Sequence, residues 1–176
     1  RLTVAGFDST FQEKSHQVIL HCDDKCIAAI SLEHCESMLV NLLSNAIKYT
    51  PEGGQIEVQV LWQKDTVQLR VADNGIGIAP ELQERIFEHF ARGAQQDNRE
   101  VAGAGIGLSL VKELAEQYGG QVSVNSARHH GAVFTVTLPS SAMPSVQVGS
   151  SASTLVAEKA ALSGATLLSV PETASD

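Results

Sequence analysis

The stretch NLLSNAIKY, residues 41–49, carries two patterns at once. On a helical wheel of about 100° per residue, one side of it collects the apolar residues of a core-facing helix. That apolar side consists of Leu39, Leu42, Leu43, Ala46 and Ile47. The opposite side carries, at spacing i, i+4, i+7 and i+8, the residues Asn41, Asn45, Lys48 and Tyr49. Amide oxygens can ligate Mg²⁺ or position its waters, and a lysine can neutralise phosphate. An ordinary solvent-facing surface explains the same stripe, so the helix alone leaves both interpretations open.

The segments on either side of this helix predict a small domain of mixed secondary structure. Ser31 is placed to cap the helix, which should end near Tyr49, before Pro51. Apolar alternation and turn residues predict strands over 16–23, 26–30, 55–63, 67–71, 121–125 and 132–138. Helices are predicted over 80–87 and 106–118, the second closed by the glycines at 119–120. The order predicts an α/β class of fold, an α+β two-layer sandwich with one mixed β-sheet and helices packed on one face.

Three regions are expected along the chain. Residues 1–16 are mixed and polar, and we expect them to end a connecting segment from a preceding domain. Residues 17–139 form the folded domain, interrupted at 91–104 by an aperiodic segment, ARGAQQDNREVAGA, that predicts a flexible loop. Residues 140–176 are rich in Ser, Ala, Thr and Val and predict a flexible linker or tail. The first residue is not methionine, so we expect a piece of a longer protein.

The composition narrows the class of partner. Hydrophobic residues make up 43% of the chain and aromatic residues 5%, which predicts a soluble domain with an aliphatic core. No apolar run approaches the roughly 20 residues of a membrane span. A net charge of −8 argues against nucleic acid but is compatible with a single nucleotide. Three cysteines at irregular spacing predict a reducing compartment and no disulfide framework. A metal site at 22–35 fits no common zinc spacing.

Two glycine-bearing segments flank the centre of the domain. The first, DNGIGI at 73–78, follows a strand, and its Asp73 can accept a hydrogen bond from the exocyclic amine of adenine. A simple turn explains the same residues. The second, GAGIGL at 103–108, precedes a helix, where backbone N–H groups can surround a phosphate. Taken alone, each motif is weak.

A third short segment, FEHF at 87–90, lies between the glycine segments. Phe87 and Phe90 can anchor the start of the 91–104 loop, from which Arg92 and Arg99 can reach phosphates, although packing in the core explains both phenylalanines. We interpret His89 as a surface or packing residue.

In this order, the segments at 41–51, 73–77, 87–90 and 103–108 resemble the N, G1, F and G2 boxes of the ATP-binding domain of sensor histidine kinases. That family is part of the GHKL superfamily, which has the Bergerat-type ATP-binding fold. The resemblance covers about residues 17–139, and its ordered set of motifs is far more specific than any one of them. A departure is Ala132, where many relatives have Ser or Thr.

The resemblance implies a role for each matched residue. Asn45 is expected to hold Mg²⁺, with Asn41 beside it near the phosphates, and Lys48 to contact phosphate; Asn41 and Lys48 are the expected catalytic residues. Asp73 is expected to bind the adenine amino group. The other residues expected around ATP are Tyr49, Gly75, Gly77, Ile78, Phe90, Arg92, Gly103, Gly105, Ile106, Gly107 and Leu108.

The family resemblance also implies an activity, in which the γ-phosphoryl group of ATP passes to a histidine on a separate helical domain. ATP-hydrolysing superfamily members carry glutamate where this chain has Asn41, and a neutral amide cannot act as a general base. None of the six histidines is followed by an acid, as the family's phosphoacceptor is, so the acceptor is expected in the parent's dimerisation domain. A GHKL-type ATPase, a serine-directed kinase of the same fold and a nucleotide-sensing module remain alternatives.

The same resemblance implies particular partners and a location. The partners are the parent's own dimerisation and phosphotransfer domain and the receiver domain of a response regulator, with no nucleic acid and no direct membrane contact. It further implies a homodimeric parent and a cytoplasmic domain, whose parent can be an inner-membrane sensor kinase.

Overall fold

The computed structural model of the chain describes residues 2–23, 28–89 and 106–140, with the side chain of Leu2 excepted. Its helices and strands are α1 (Leu2–Ala5), α2 (Asp8–Glu13), β1 (Gln17–Cys22), α3 (Leu32–Tyr49), β2 (Gln55–Gln63), β3 (Thr66–Asp73), α4 (Gly107–Gln117), β4 (Gln121–Ser126) and β5 (Ala132–Pro139). Two short 3₁₀ helices, Pro80–Leu82 and Arg85–Phe87, lie between β3 and α4.

The five strands form one sheet in the order β1-β2-β3-β5-β4. β1 runs parallel to β2 and the other neighbours are antiparallel, so the predicted mixed sheet is confirmed. α3 connects the parallel strands β1 and β2, because two parallel strands need a crossover between them. The β3 register places Asp73 opposite Ile56 on one side and opposite Ala132 on the other. The last residue of β3 is therefore flanked by two apolar neighbours.

Local signals fix the ends of α3. The Ser31 hydroxyl accepts a hydrogen bond from the His34 N–H at 3.3 Å, as the sequence predicted for a helix cap. At the other end Thr50 has an extended conformation (φ −90°, ψ 128°), since the following Pro51 disfavours a helical residue before it. The predicted helix and its boundaries are confirmed.

The core lies between α3, α4 and one face of the sheet. Alternate residues of β2, β3 and β5 point into it, and their neighbours point to the opposite face, as the period of a strand requires. The buried apolar residues that form this core cluster are Val4, Phe11, Met38, Leu42, Leu43, Ala46, Ile47, Ile56, Val58, Val71, Val111, Leu114, Ala115, Ala132, Phe134, Val136 and Leu138. Leu39, predicted to face this core, is only half-buried, and Met38 is fully buried beside it. The predicted two-layer architecture is confirmed.

Three segments differ from the sequence prediction. The prediction for 1–16 contains no helix, whereas α1 and α2 form there and bury Val4 and Phe11 in the core. The strand predicted over 26–30 is not formed at its described end, where Ala28 makes only an isolated bridge to Ser140. The helix predicted over 80–87 is replaced by the two 3₁₀ turns, because so short a segment makes few of the bonds that repay helix nucleation.

Several predictions fall outside the described residues, namely the loop at 91–104, the tail from 141 onward and Cys26. Where the structure describes the chain, none of its helices has the length and apolar character needed to cross a bilayer.

Candidate functional site

The polar stripe of α3 presents side chains that are only partly engaged by the protein. The Asn41 amide nitrogen donates to the Ser37 carbonyl at 2.8 Å, so the hydrogen bond to its own helix uses the nitrogen and leaves the oxygen. Within the described residues, the half-buried Asn45 side chain has no hydrogen-bond partner. The Lys48 ammonium lies 4.9 Å from the centre of the Tyr49 ring, which is 39% exposed. Two amide oxygens one turn apart, next to an ammonium, suit Mg²⁺ and its phosphate ligands.

The start of α4 lies against this stripe. A Cβ placed on Gly107 would come within 2.6 Å of the Asn41 Oδ1, so a side chain at this position of α4 would have to displace the Asn41 amide. Ile106, at the N-cap position, provides no side-chain cap, and its own side chain is 45% exposed. Among the described residues, no side chain caps the first N–H groups of α4 beside Asn41, and the positive end of the helix favours an anion there.

The turn after β3 rests on the end of α3. The Ile76 N–H donates to the Tyr49 carbonyl at 3.2 Å, and a Cβ on Gly75 would overlap that same carbonyl. Gly75 is buried and must be glycine for this contact to form. The turn and the polar stripe of α3 are therefore joined directly through backbone atoms.

Asp73 holds its carboxylate at the edge of this turn. One oxygen, Oδ1, accepts a hydrogen bond from the Gly75 N–H at 2.9 Å, and the backbone N–H of Ala132 also donates to the carboxylate. Burial raises the pKa of Asp73 above its usual 3.8, and the two backbone donors oppose that rise. Ala132, which lacks the hydroxyl common in the resembling family, thus contributes to the site through its backbone.

A brace from the β4–β5 turn, residues 126–131, holds the glycine turn from outside. The Ser126 hydroxyl accepts from the Ile78 N–H at 2.8 Å and donates to the Gly131 carbonyl at 2.5 Å. The Gly131 N–H donates to the Gly75 carbonyl at 3.1 Å. A Cβ on Gly131, whose φ is +73°, would overlap the Asp73 carbonyl. Sequence reasoning missed Ser126 and Gly131 as site residues, although the glycine after His129-His130 was a turn signal.

The remaining predicted site residues have mixed positions. Gly77 (φ +69°) packs against the Ala127 carbonyl, and Ile78 is half-buried. Leu108 is half-buried and packs against the hydrophobic core. Phe87 packs edge-to-face on Phe134 with ring centres 6.3 Å apart, as the core interpretation required.

Away from these segments, the Nε2 of His89 lies 2.7 Å from the Oε1 of Glu113 in α4, in keeping with a surface role. Phe90, Arg92, Gly103 and Gly105 lie outside the described residues.

The structure therefore brings three of the predicted segments to one end of the sheet. The amide stripe of α3 contacts both the 73–77 turn, through Tyr49, and the start of α4, through Asn41. The elements joined in this way carry the Asp73 carboxylate, the Asn41 and Asn45 amides, the Lys48 ammonium and, among the described residues, an α4 N-terminus without a side-chain cap. The carboxylate can accept a hydrogen bond from a ligand, the amide oxygens can bind a cation, and the ammonium and the helix N-terminus can bind an anion.

Comparison with known proteins identifies the family of this chain. The model of a family described as "Histidine kinase-, DNA gyrase B-, and HSP90-like ATPase" matches residues 31–142. Sensor histidine kinase TmoS of Ectopseudomonas mendocina is 37% identical over 153 residues, which cover 86% of this chain and 16% of TmoS. The chain thus spans less than a fifth of that relative.

Solved structures of histidine kinases share the fold. The nucleotide-free catalytic domain of histidine kinase ThkA superposes with a TM-score of 0.69 at 25% identity, covering 79% of this chain and 90% of that domain. ThkA in complex with the response regulator protein TrrA gives 0.66 at 22%, covering 80% and 39%. Full-length ShkA in complex with AMPPNP gives 0.68 at 29%, covering 80% and 29%.

Proposed function

The chain belongs to the family of histidine kinase-, DNA gyrase B- and HSP90-like ATPases, and from this membership we propose that it is the ATP-binding catalytic domain of a sensor histidine kinase. In this proposal it transfers the γ-phosphoryl group of ATP to a histidine on a separate helical domain, for relay to a response regulator. The similarity to TmoS and to the ThkA catalytic domain supports the kinase branch of the family.

One observation carries the proposal: the α3 stripe contacts both glycine segments. Gly107 abuts the Asn41 amide, and Tyr49 receives the Ile76 N–H, so one ligand can touch all three segments at once. An adenine nucleotide has the matching chemistry, with an amine donor at one end and a triphosphate at the other. Such a ligand would extend from Asp73 to the start of α4.

The chain's own residues have distinct tasks in this proposal. Asp73 accepts from the adenine amino group, and the N–H groups of the first α4 turn hold phosphate oxygens. Lys48 would neutralise phosphate charge, and Asn45 would hold Mg²⁺ with Asn41 beside it. The chemistry that Mg²⁺ would supply there is neutralisation of the phosphate charge that grows as ADP departs.

Asn41 favours transfer over hydrolysis. A hydrolase needs a group that takes a proton from the attacking water, and a neutral amide has no such basicity. A neutral imidazole needs no base, because its ring nitrogen already has a lone pair for the γ-phosphorus. The P–N bond forms as the bond from the γ-phosphorus to the bridging oxygen breaks, ADP leaves, and the phosphoimidazolium that results loses the proton on its other ring nitrogen to water. The chain should therefore bind ATP and hydrolyse almost none of it.

A direct test adds a histidine-bearing helical hairpin from a sensor kinase in trans, with ATP labelled in the γ-phosphate. The expected result is acid-labile phosphate on the hairpin and little free phosphate from the chain alone. Acid-stable phosphate on a serine protein would favour the serine-directed kinase, and steady phosphate release would favour the ATPase. The matched control is the same hairpin with its histidine replaced by glutamine, which should take up no label.

A further inference from the structure

The carboxyl end of α3 is held by residues 14–16 as well as by the glycine turn. The last carbonyls of a helix have no partner within it and must find donors elsewhere. The Thr50 N–H donates to the Ala46 carbonyl at 3.0 Å, and the Ile76 N–H donates to the Tyr49 carbonyl at 3.2 Å. The Ile47 carbonyl accepts a hydrogen bond at 2.9 Å from the ammonium of Lys14, which lies in the segment that follows α2.

His16 continues this contact past the end of the helix. Its Nε2 lies 3.3 Å from the Thr50 carbonyl and 3.1 Å from the Pro51 carbonyl. Since both partners can only accept, the Nε2 must carry the ring proton. The Gly53 N–H in turn donates to the Lys14 carbonyl at 2.9 Å. Residues 14–16 and the end of α3 are therefore joined by donors running in both directions.

The burial of His16 argues that this contact has a use beyond filling space. The residue is 9% exposed, and its Nδ1 is buried without a hydrogen-bond partner in the described chain. A buried polar atom without a partner is unfavourable, so an apolar side chain would suit the core better. What an apolar side chain cannot provide is an N–H for the two carbonyls beyond Tyr49.

We propose that Lys14 and His16 are positioning residues for the nucleotide site, an inference that rests on the proposed ATP-binding function. They fix the position of the last turn of α3, which carries Lys48 and Tyr49. The Tyr49 carbonyl in turn fixes Gly75 and Ile76. Because the Gly75 N–H donates a hydrogen bond to Asp73, the position of the adenine end of the site depends on residues 14–16.

The test uses the whole chain and measures binding of a non-hydrolysable ATP analogue and a GTP analogue by calorimetry with Mg²⁺. Lys14→Met and His16→Leu remove the donors and retain side-chain bulk. Each should weaken ATP-analogue binding several-fold and by no more than about tenfold, because the binding step can lose at most the contribution of the one charged or buried hydrogen bond that is removed. The preference for the ATP analogue over the GTP analogue should shrink as well.

Two sets of variants separate positioning from general destabilisation. Lys14→Arg and His16→Gln keep a donor at similar reach and should restore both affinity and preference. Lys64→Met and His21→Leu alter an exposed lysine and an exposed histidine elsewhere and should change neither. Circular dichroism confirms that every variant is folded at the temperature of the titration.

Two results overturn the inference. In one, the donor-free variants bind with unchanged affinity and preference. In the other, affinity falls only in proportion to the folded fraction, with no change in preference and no rescue by Lys14→Arg or His16→Gln. If the unaltered chain binds no ATP analogue, the proposed function fails, which is a different and separately visible outcome.

Discussion

Replacing Asp73 with asparagine changes one oxygen to an amide nitrogen where three donors converge. The Gly75 and Ala132 N–H groups already donate to the carboxylate, and the adenine amine is the third donor in the proposed complex. An asparagine has one oxygen, which the backbone donors will retain. Its NH₂ group then faces the adenine NH₂, donor against donor.

The expected loss follows from the charge of the acceptor. A hydrogen bond to a charged group contributes about 1.5–3 kcal/mol, so Asp73→Asn should weaken ATP-analogue binding by roughly 10- to 150-fold. Guanine has a carbonyl where adenine has its amine, so the new NH₂ should gain an acceptor. The preference for the ATP analogue should shrink or reverse.

The assay is calorimetric titration of both analogues under saturating Mg²⁺. Asp65→Asn is the matched control, because it makes the same change in the exposed β2–β3 turn and should leave both affinities unchanged. An Asp73→Asn chain that binds the ATP analogue within twofold of the original, with its preference intact, would refute the assignment of the base to this carboxylate.

Three further predictions concern the same site. Asn45→Ala should abolish most of the gain in ATP affinity that Mg²⁺ provides, at least about tenfold, in titrations with and without the metal; an undiminished Mg²⁺ effect would place the ion elsewhere. Gly107→Ala should leave unfolding in urea within about 1 kcal/mol of the original but weaken ATP-analogue binding several-fold, because the new methyl displaces the Asn41 amide; equal affinity would contradict it. Since burial raises the pKa of Asp73 above 3.8, its ionisation costs stability as pH rises through that raised pKa. In thermal melts without ligand, the melting temperature of the Asp73→Asn chain should therefore rise relative to that of the original as the pH goes from acid to neutral. A difference in melting temperature that stays constant across that range would count against this prediction.

Elements with a strong local signal could be predicted from sequence. The α3 boundaries follow from Ser31 and Pro51, and β2 and β3 follow from apolar alternation around a short turn. The α1 and α2 helices could not be predicted this way, because their six residues or fewer are stabilised by tertiary burial of Val4 and Phe11 rather than by local propensity.

The residues of the candidate site also differ in whether a local sequence signal could predict them. The stripe residues were predictable because they share one helix at a fixed spacing, and Asp73 because it ends a strand before glycines. Lys14 and His16 contact residues 33 to 35 positions away, a separation at which sequence periodicity has no signal. Ser126 meets the glycine turn across 48 positions for the same reason.

The brace at 126–131 gives an exposed hairpin tip an unusual constraint. Surface tips of this kind ordinarily accept extra residues, since their backbone faces water. Here the N–H groups of His129 and Gly131 are committed to the Ile76 and Gly75 carbonyls. The length of this tip is therefore dictated by the glycine turn that it contacts, and a peptide tag or reporter inserted between Ala127 and Gly131 would deform the turn that positions Asp73.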